Sequence, residues 1–447
     1  MAEPIISVSG LRGVIGESLT PPGAMRFVAA FVAELPPGPI VVTRDGRATG
    51  KLLAKAIHCT VGALGRDVID ADTAATPTTG VLVKKYGAAG GIQISASHNP
   101  PEYNGIKLFS DDGRVFTAVK GEAVLARYRN SQPAWSSHEA WGECRRCEDT
   151  TTQHLQRVLE QVDVEAIRRQ AFRVLLDSNH GAGSILGRRL LAELGCQTVF
   201  LGDTPDGQFA HPPEPTAENL AGVRSAVVEA SAAVGFCQDP DADRLALIDE
   251  QGRYIGEEYT LALCLDHVLQ SRKGAVVANC ATSRMNQDIT EQHGSTYFRS
   301  AVGEANVADL MQAQQAVFGG EGNGGPIDPQ VGYVRDSFVG MAFILDGLAA
   351  RGGMLSSWAD ALPRYEIHKT KISLPPEKIP AGLAALQQHF ADAEASLLDG
   401  LRLDWPDRWL LVRASNTEPI VRAIAEAKTL AAAEELCATA AQVLSQV

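Results

Sequence analysis

The chain contains no apolar run long enough to cross a bilayer, and its start, MAEPIISVSG, lacks the basic and apolar leader of an export signal. Both absences point to the cytoplasm. Positive charge is also scarce, with 40 Lys plus Arg against 53 Asp plus Glu and a formal net charge of −13. That balance excludes nonspecific nucleic-acid binding through a basic face. It also requires any anion site to gather its cations locally or to use a metal. Cysteine is sparse: eight are scattered through 447 residues, several among apolar neighbours such as Cys237, Cys264 and Cys280. They read as reduced, buried thiols rather than a disulfide framework. Cys144 and Cys147 have the CxxC spacing, with His138 and His154 nearby, but no second CxxC follows. The pair reads as ordinary surface or linker cysteines and not as a zinc clip.

What remains is ordinary globular composition, 45% hydrophobic and 21% charged, in a chain too long for one core. Thr20 and Pro21 read as the cap and first turn of a helix over AMRFVAAFVAEL. PIVVTRD is a buried strand, KLLAKAIHCTVGAL an amphipathic helix stopped by Gly65, and GGIQISA another strand. The polar stretch near residues 130–150 reads as a linker or a surface excursion. A second unit follows, with strand FRVLLDS, turn NHGAGS, helix ILGRRLLAEL and a strand–acidic loop–strand segment ending at LALIDEQG. A third runs from about Tyr259 through AVVAN and AVFGGEGNGG to the helix around FVGMAFILDGL. From about Pro363 the style changes, to strand HKTKISL, helix AGLAALQQHFADAEASLL, strand WLLVRAS and a closing Ala-rich helix. The pattern of the first third predicts α/β with a largely parallel sheet, and the working count along the chain is four modules. There is no low-complexity tract and no solenoid period.

Four segments carry candidate chemistry. Asp239, Asp241 and Asp243, with Arg244 beside them, place three hard oxygen ligands at alternate positions of a loop between two strands. Such a set favours magnesium or calcium over a soft metal. An EF-hand reading fits Asp239, Asp241, Asp243 and Glu250 but fails at its sixth position, where Arg244 stands in place of Gly. The bland alternative is a solvated acidic turn. Ser97, followed by His98 and Asn99, sits where a strand runs into a turn, an exposed place suited to a nucleophile, and Lys107 follows. Taken alone, SASHNP reads equally as a simple turn. Glu321 and Asn323 lie in a glycine-rich loop without the Lys-Ser/Thr ending of a P-loop, so they match sugar hydroxyls better than phosphate. Arg413, Ser415, Asn416 and Thr417, with Arg422 shortly after, form a candidate anion nest. Arg12 stands on a Gly-flanked loop, and Val302-Gly303-Glu304 on another turn.

The ordered set SGLRG, SASHNP with NGIK, DPDADR, GEGNGG and RASNTEP resembles the α-D-phosphohexomutase family, and the motifs run from Arg12 to Arg422. The resemblance implies three α/β domains with mixed sheets and a smaller C-terminal α+β domain around a central cleft, expected at 1–145, 146–252, 253–362 and 363–447. It implies Ser97 as the phosphorylated residue. One Mg²⁺ would be held by Asp239, Asp241, Asp243 and a phosphoserine oxygen, with Arg12, Lys107, His98 and Arg244 around the reacting phosphate. Asn99, Glu321 and Asn323 would contact the substrate. Arg413, Ser415, Asn416, Thr417 and Arg422 would hold the idle phosphate. The partner is a small hexose phosphate, with a bisphosphorylated hexose as intermediate and activator, acting on a monomer or homodimer. Many bacterial members carry Ser and a later His where this chain has Asn323 and Gly325, so the acid/base role passes to Lys107 or His98, with Lys107 favoured. The opening SGLRGVIG and the TEP ending lean toward glucosamine phosphate; SNT leans toward mannose or glucose phosphate. A metal-dependent sugar phosphatase is the remaining alternative.

Overall fold

The computed structural model describes residues 4–7, 10–414 and 420–447, and holds four β-sheets. In the first, strands Gly90–Ile94, Ile40–Arg44, Val68–Thr73 and Cys144–Arg146 run parallel in that spatial order. Antiparallel strands Tyr103–Ser110, Gly10–Val14 and Ile5–Ser7 extend the other edge. Ile40–Arg44 is buried along its whole length because helices cover both faces. Ile40 and Val42 pack with Leu53 and Ile57 of helix Gly50–Ala63, while Val41 packs with Leu82 and Val83 of helix Thr76–Lys85. A continuous apolar run is the expected signature of such a strand. Helix Pro21–Val32 starts as predicted, with the Thr20 hydroxyl accepting from the Gly23 amide at 3.4 Å.

The second and third sheets have matching topology. Each has three parallel strands, the last of which doubles back into an antiparallel edge strand. One face of each sheet turns into a single hydrophobic core, where Leu176 and Phe236 of one and Val276 and Phe318 of the other belong together. Helix Ser337–Arg351 fills that core and is apolar nearly all round, so it is buried nearly all round. Asp336 caps it by accepting from the Phe338 and Val339 amides, and Gly352 ends it at φ 63°. The second and third units therefore share a core instead of each closing its own.

The fourth sheet is wholly antiparallel and has its own core, with Leu386, Leu403, Val412 and Leu436 at its centre. It docks on the third unit through Trp409 and Leu411, which meet Cys280. The Glu426 carboxylate accepts from the Arg284 amide at 2.9 Å and from the Trp409 indole at 2.7 Å.

Two sequence expectations fail. The helix expected over AGLAALQQHFADAEASLL stops at His389, and Glu394–Ser396 is a strand paired with Leu401–Asp404. Phe390 stacks edge-on against Trp405, whose indole donates to Asp392, so packing pulls the chain out of the helix that its alanines favour. The stretch near 130–150 is mostly exposed, as a surface excursion would be, but it is not free of regular structure. Cys144–Arg146 adds a seventh strand to the first sheet, across the boundary expected at 145/146. Among the described residues, no helix is long and apolar enough to cross a membrane, and all eight cysteines are free.

Candidate active site

In each of the first three units, the chemistry-bearing loop joins a parallel strand to its antiparallel neighbour. The Ser97 loop links Gly90–Ile94 to Tyr103–Ser110, the Asp loop links Val234–Gln238 to Leu245–Asp249, and the Glu321 loop links Phe318–Glu321 to Gly325–Ile327. Ligands gather at the carboxyl ends of strands where connection direction changes, and all three loops sit there.

Ser97 is buried in the cleft wall and not on the exposed turn expected from the sequence, and it is left-handed, with φ 51°. A non-glycine residue adopts that backbone at a cost of roughly 1–2 kcal/mol, so neighbours must hold it. Arg47 does so. Its guanidinium donates to the carbonyls of Ser97 at 2.7 Å, Asn99 at 2.6 Å, Pro100 at 2.7 Å and Tyr103 at 3.0 Å. Arg47 is itself fixed by Asp45 at 3.1 Å, and Asp45 accepts from Ser95 at 2.7 Å. Ser95 Oγ in turn accepts from the Ser97 amide at 2.9 Å.

The Ser97 hydroxyl donates to Asp239 Oδ2 at 2.8 Å and lies 3.2 Å from His98 Nδ1. Residues 142 positions apart in sequence thus meet across two units. Asp239, Asp241 and Asp243 are fully buried, and each places a carboxylate oxygen within 4.8 Å of the others. Ala242, at φ 56°, makes the turn that brings them together. Lys107 Nζ bridges Asp241 Oδ2 at 2.5 Å and Asp243 Oδ2 at 2.7 Å, and Thr76 Oγ1 also donates to Asp241 Oδ2. Oδ1 of Asp241 and Oδ1 of Asp243 remain buried without a hydrogen-bond partner. Orphaned buried carboxylate oxygens are costly, and a hard divalent cation is the ligand that satisfies them. The donor set fits a metal ion.

The charges around this centre oppose one another. Burial raises Asp239 well above the usual carboxylate range, and the neighbouring Asp243 and Asp241 charges push the same way. Burial acts on Asp243 too, but Arg335, Lys107 and Arg244 outweigh it and hold that carboxylate low. Burial would lower Lys107, yet Asp241 and Asp243 overcome it and keep the ammonium charged. His98 is pushed down to about 2 by burial first and then by Arg244 and Arg12, so its ring is neutral. Arg12 donates to Asn99 Oδ1 at 3.1 Å, and the Arg244 amide donates to Asp239 Oδ1 at 3.1 Å.

Glu321 is held from every side. Its carboxylate accepts from Asn279 at 2.7 Å and from the Gly303 amide at 3.1 Å, and Arg335 Nη1 lies 3.0 Å away. Asn323 Nδ2 approaches it at 3.4 Å, leaving Asn323 Oδ1 without a partner. Arg335 also donates to Asp243 Oδ2 at 2.7 Å and from its amide to Glu304 at 2.7 Å, so one buried arginine ties three loops together. Gly325 makes room for it, since a Cβ there would stand 2.3 Å from Arg335 Cδ.

A cavity of about 950 Å³ opens between Arg12, His98 and Arg244 at one end and Lys369, Arg413 and Arg422 at the other. Strand register sets Lys371, Arg422 and Arg413 side by side across three strands of the fourth sheet. Glu257 and Glu258 line the same cavity at the start of helix Glu257–Val268. Burial lifts them to about 7 and about 8, against the pull of nearby Lys369. Ser415, Asn416 and Thr417 lie outside the described residues.

Sequence reasoning brings together Arg12, Ser97, His98, Asn99, Lys107, the three aspartates, Arg244, Glu321 and Asn323 at one end of the cleft, and Arg413 and Arg422 at the other. It misses Arg47, Thr76, Arg335, Glu257, Glu258, Lys369 and Lys371. Three of these left a trace: Lys369 and Lys371 alternate within a strand-like segment, and Arg47 follows a buried strand in a glycine-containing turn.

Family models agree with this geometry over nearly the whole chain. Phosphoglucomutase/phosphomannomutase α/β/α domains I, II and III match residues 5–134, 152–252 and 257–365, and the C-terminal domain matches 370–443. A phosphoglucomutase/phosphomannomutase of Thermococcus kodakarensis is 37% identical over 435 residues, covering 95% of each chain. A probable phosphoglucosamine mutase of Methanopyrus kandleri is 32% identical over 432 residues, covering 96% of this chain and 95% of its own. A phosphoglucomutase/phosphomannomutase family crystal structure from Burkholderia thailandensis superposes with a TM-score of 0.85 at 26% identity, over 99% of this chain and 98% of the other.

Proposed function

The chain belongs to the phosphoglucomutase/phosphomannomutase family, and from that premise we propose that it interconverts hexose 6-phosphate and 1-phosphate through phosphorylated Ser97, with glucosamine phosphate as its preferred substrate. The observation that carries this reading is the pairing of ends in one cleft. A buried serine bonded to one of three clustered aspartates lies next to His98, and His98, Arg12 and Arg244 line the same cavity of about 950 Å³ as Lys369, Lys371, Arg413 and Arg422.

Asp239, Asp241 and Asp243 would hold the ion, and their hard oxygens favour Mg²⁺. When bound, it neutralises charge on the transferring phosphoryl oxygens, the main demand of such chemistry. Arg12 and Arg244 add to that neutralisation from the cleft wall. The free hydroxyl of the sugar attacks phosphorus on Ser97, a sugar P–O bond forms as the bond to Oγ breaks, and the product is a bisphosphate. This intermediate turns round and returns its other phosphoryl group to Ser97.

Lys107 is held as an ammonium by two carboxylates, which suits it to stabilise charge more than to accept a proton. His98 Nδ1 lies 3.2 Å from Oγ and would orient it, and the proton given up by the attacking sugar hydroxyl is the one that Oγ gains as the bond to phosphorus breaks. Glu321 and Asn323 would orient sugar hydroxyls, with Asn99 steadying Arg12 beside them. Arg413, Arg422, Lys369 and Lys371 would hold the idle phosphate in either sugar orientation, together with Ser415, Asn416 and Thr417. The protein would act in the cytoplasm as a monomer or homodimer, one loop per domain.

Incubation with glucosamine, glucose and mannose 6-phosphates, each with its bisphosphate primer and Mg²⁺, tests the reading. Glucosamine 1-phosphate should form fastest. Faster turnover of glucose or mannose phosphate reassigns the substrate, and phosphate release without any 1-phosphate refutes the mutase.

A further inference from the structure

A second group of metal-ligating side chains lies on the first sheet and shares no residue with the cleft. Strand Cys144–Arg146 runs parallel to Val68–Thr73, with Cys144 opposite Val68 and Arg146 opposite Asp70. Alternation along the strands puts Val68, Asp70 and Cys144 on one face. Helix Gly50–Ala63 covers that face and brings His58 down onto it. His58 Nδ1 is 3.9 Å from Cys144 Sγ, and Nε2 is 3.8 Å from Asp70 Oδ1. One imidazole nitrogen, the sulfur and one carboxylate oxygen all lie within 4.8 Å of one another. Nε2 is buried without a hydrogen-bond partner.

Around a tetrahedral zinc, with bonds of about 2.0 Å to nitrogen or oxygen and about 2.3 Å to sulfur, adjacent donors stand roughly 3.3–3.7 Å apart. The 3.9 Å and 3.8 Å contacts use different ring nitrogens; the one nitrogen, sulfur and oxygen that would share an ion lie within 4.8 Å of one another, so closing on it takes inward side-chain shifts of about 1 Å. Thiolate and imidazole select a borderline-soft cation, whereas the all-oxygen aspartate trio selects a hard one. Cys144 is exposed, which leaves a fourth position open to water. The adjoining groove of about 580 Å³ is lined by Trp135, Trp141, Met25 and Ala63, with both indoles exposed to solvent.

Cys147, the other half of the CxxC, does not take part. Its thiol meets Tyr86 Oη at 3.2 Å and the Asp149 carbonyl at 3.3 Å. The CxxC pair is therefore no metal clip, yet one of its cysteines belongs to a different ligand set.

We propose that His58, Asp70 and Cys144 form a zinc-class site that pins the edge strand Cys144–Arg146 to the first domain. Binding exchanges the Cys144 thiol proton, released to solvent, for a metal–sulfur bond. The test is cobalt(II) titration of the metal-stripped full chain in excess Mg²⁺, which keeps the aspartate trio occupied. A thiolate-to-cobalt charge-transfer band should grow to one equivalent and disappear on adding zinc. It should be lost in Cys144→Ser and in His58→Ala, both of which keep full mutase activity as a check on folding, and retained in Asp241→Asn. No band in the unaltered chain, or a band that survives Cys144→Ser, overturns the proposal.

Discussion

The loop at 239–244 and the loop at 321–325 occupy the same place in matching sheets, each turning a parallel strand back into an antiparallel edge. Their chemistry is opposite. In the first, three carboxylates crowd together and two of their oxygens go unanswered. In the second, a single carboxylate meets four partners, Asn279, the Gly303 amide, Asn323 and Arg335. Unmet buried charge marks the place where an ion must enter. Satisfied charge marks a rigid surface against which a neutral hydroxyl can be read. The scaffold is common to both, and the balance of donors and acceptors decides what each loop does.

The comparison can be broken most severely at the first loop. Asp243→Asn should cut mutase turnover by about 10³-fold, in line with losing a preorganised charge at phosphoryl transfer, and should weaken Mg²⁺ binding; steady-state assays across Mg²⁺ concentrations read both. Unchanged turnover would contradict a metal role for the loop.

Arg335 links the two loops, and Arg335→Met strands Asp243, Glu304 and Glu321 without their cation. Removing one partner of a buried ion network costs about 3–5 kcal/mol, so urea unfolding should shift by that amount. Glu321→Gln acts on the second loop alone: KM for the sugar phosphate should rise by about tenfold, the effect of losing about 1.4 kcal/mol of hydrogen bonding, while Mg²⁺ binding stays as it was.

The smallest effect concerns pH. Burial raises Glu258 to about 8, so between its ordinary range near 4.5 and about 8 the folded chain holds a proton that the unfolded chain has lost. This group therefore favours folding at low pH, and its contribution fades as pH rises through about 8. Glu258→Gln should flatten that part of the stability–pH curve, measured by denaturant midpoints from acid to mildly alkaline pH. A variant curve parallel to the original would mean the carboxyl is not held protonated.

The aspartate loop and the Ser97 loop were legible because the chemistry needs residue types that stand out: three aspartates in phase between two apolar strands, and a serine where a strand ends. The supporting residues were not. Arg47 acts through four backbone carbonyls, which leave no mark in a sequence. Arg335 gained its place because Gly325 has no side chain, a relation visible only once both are folded. The shared core of the second and third units was hidden for a similar reason, since an all-round apolar helix such as Ser337–Arg351 announces burial but not between which sheets. The helix overcalled beyond His389 shows the converse, a good local pattern overruled by Phe390 on Trp405.

The account stands or falls on a phosphoryl group travelling through Ser97. Charging the enzyme with isotopically labelled hexose bisphosphate, mapping the label by peptide mass spectrometry and then adding unlabelled hexose 6-phosphate would follow it directly. Label should sit on the Ser97 peptide and leave it for the sugar at least as fast as turnover. Label on another residue, or label on Ser97 that the sugar cannot remove, would contradict it.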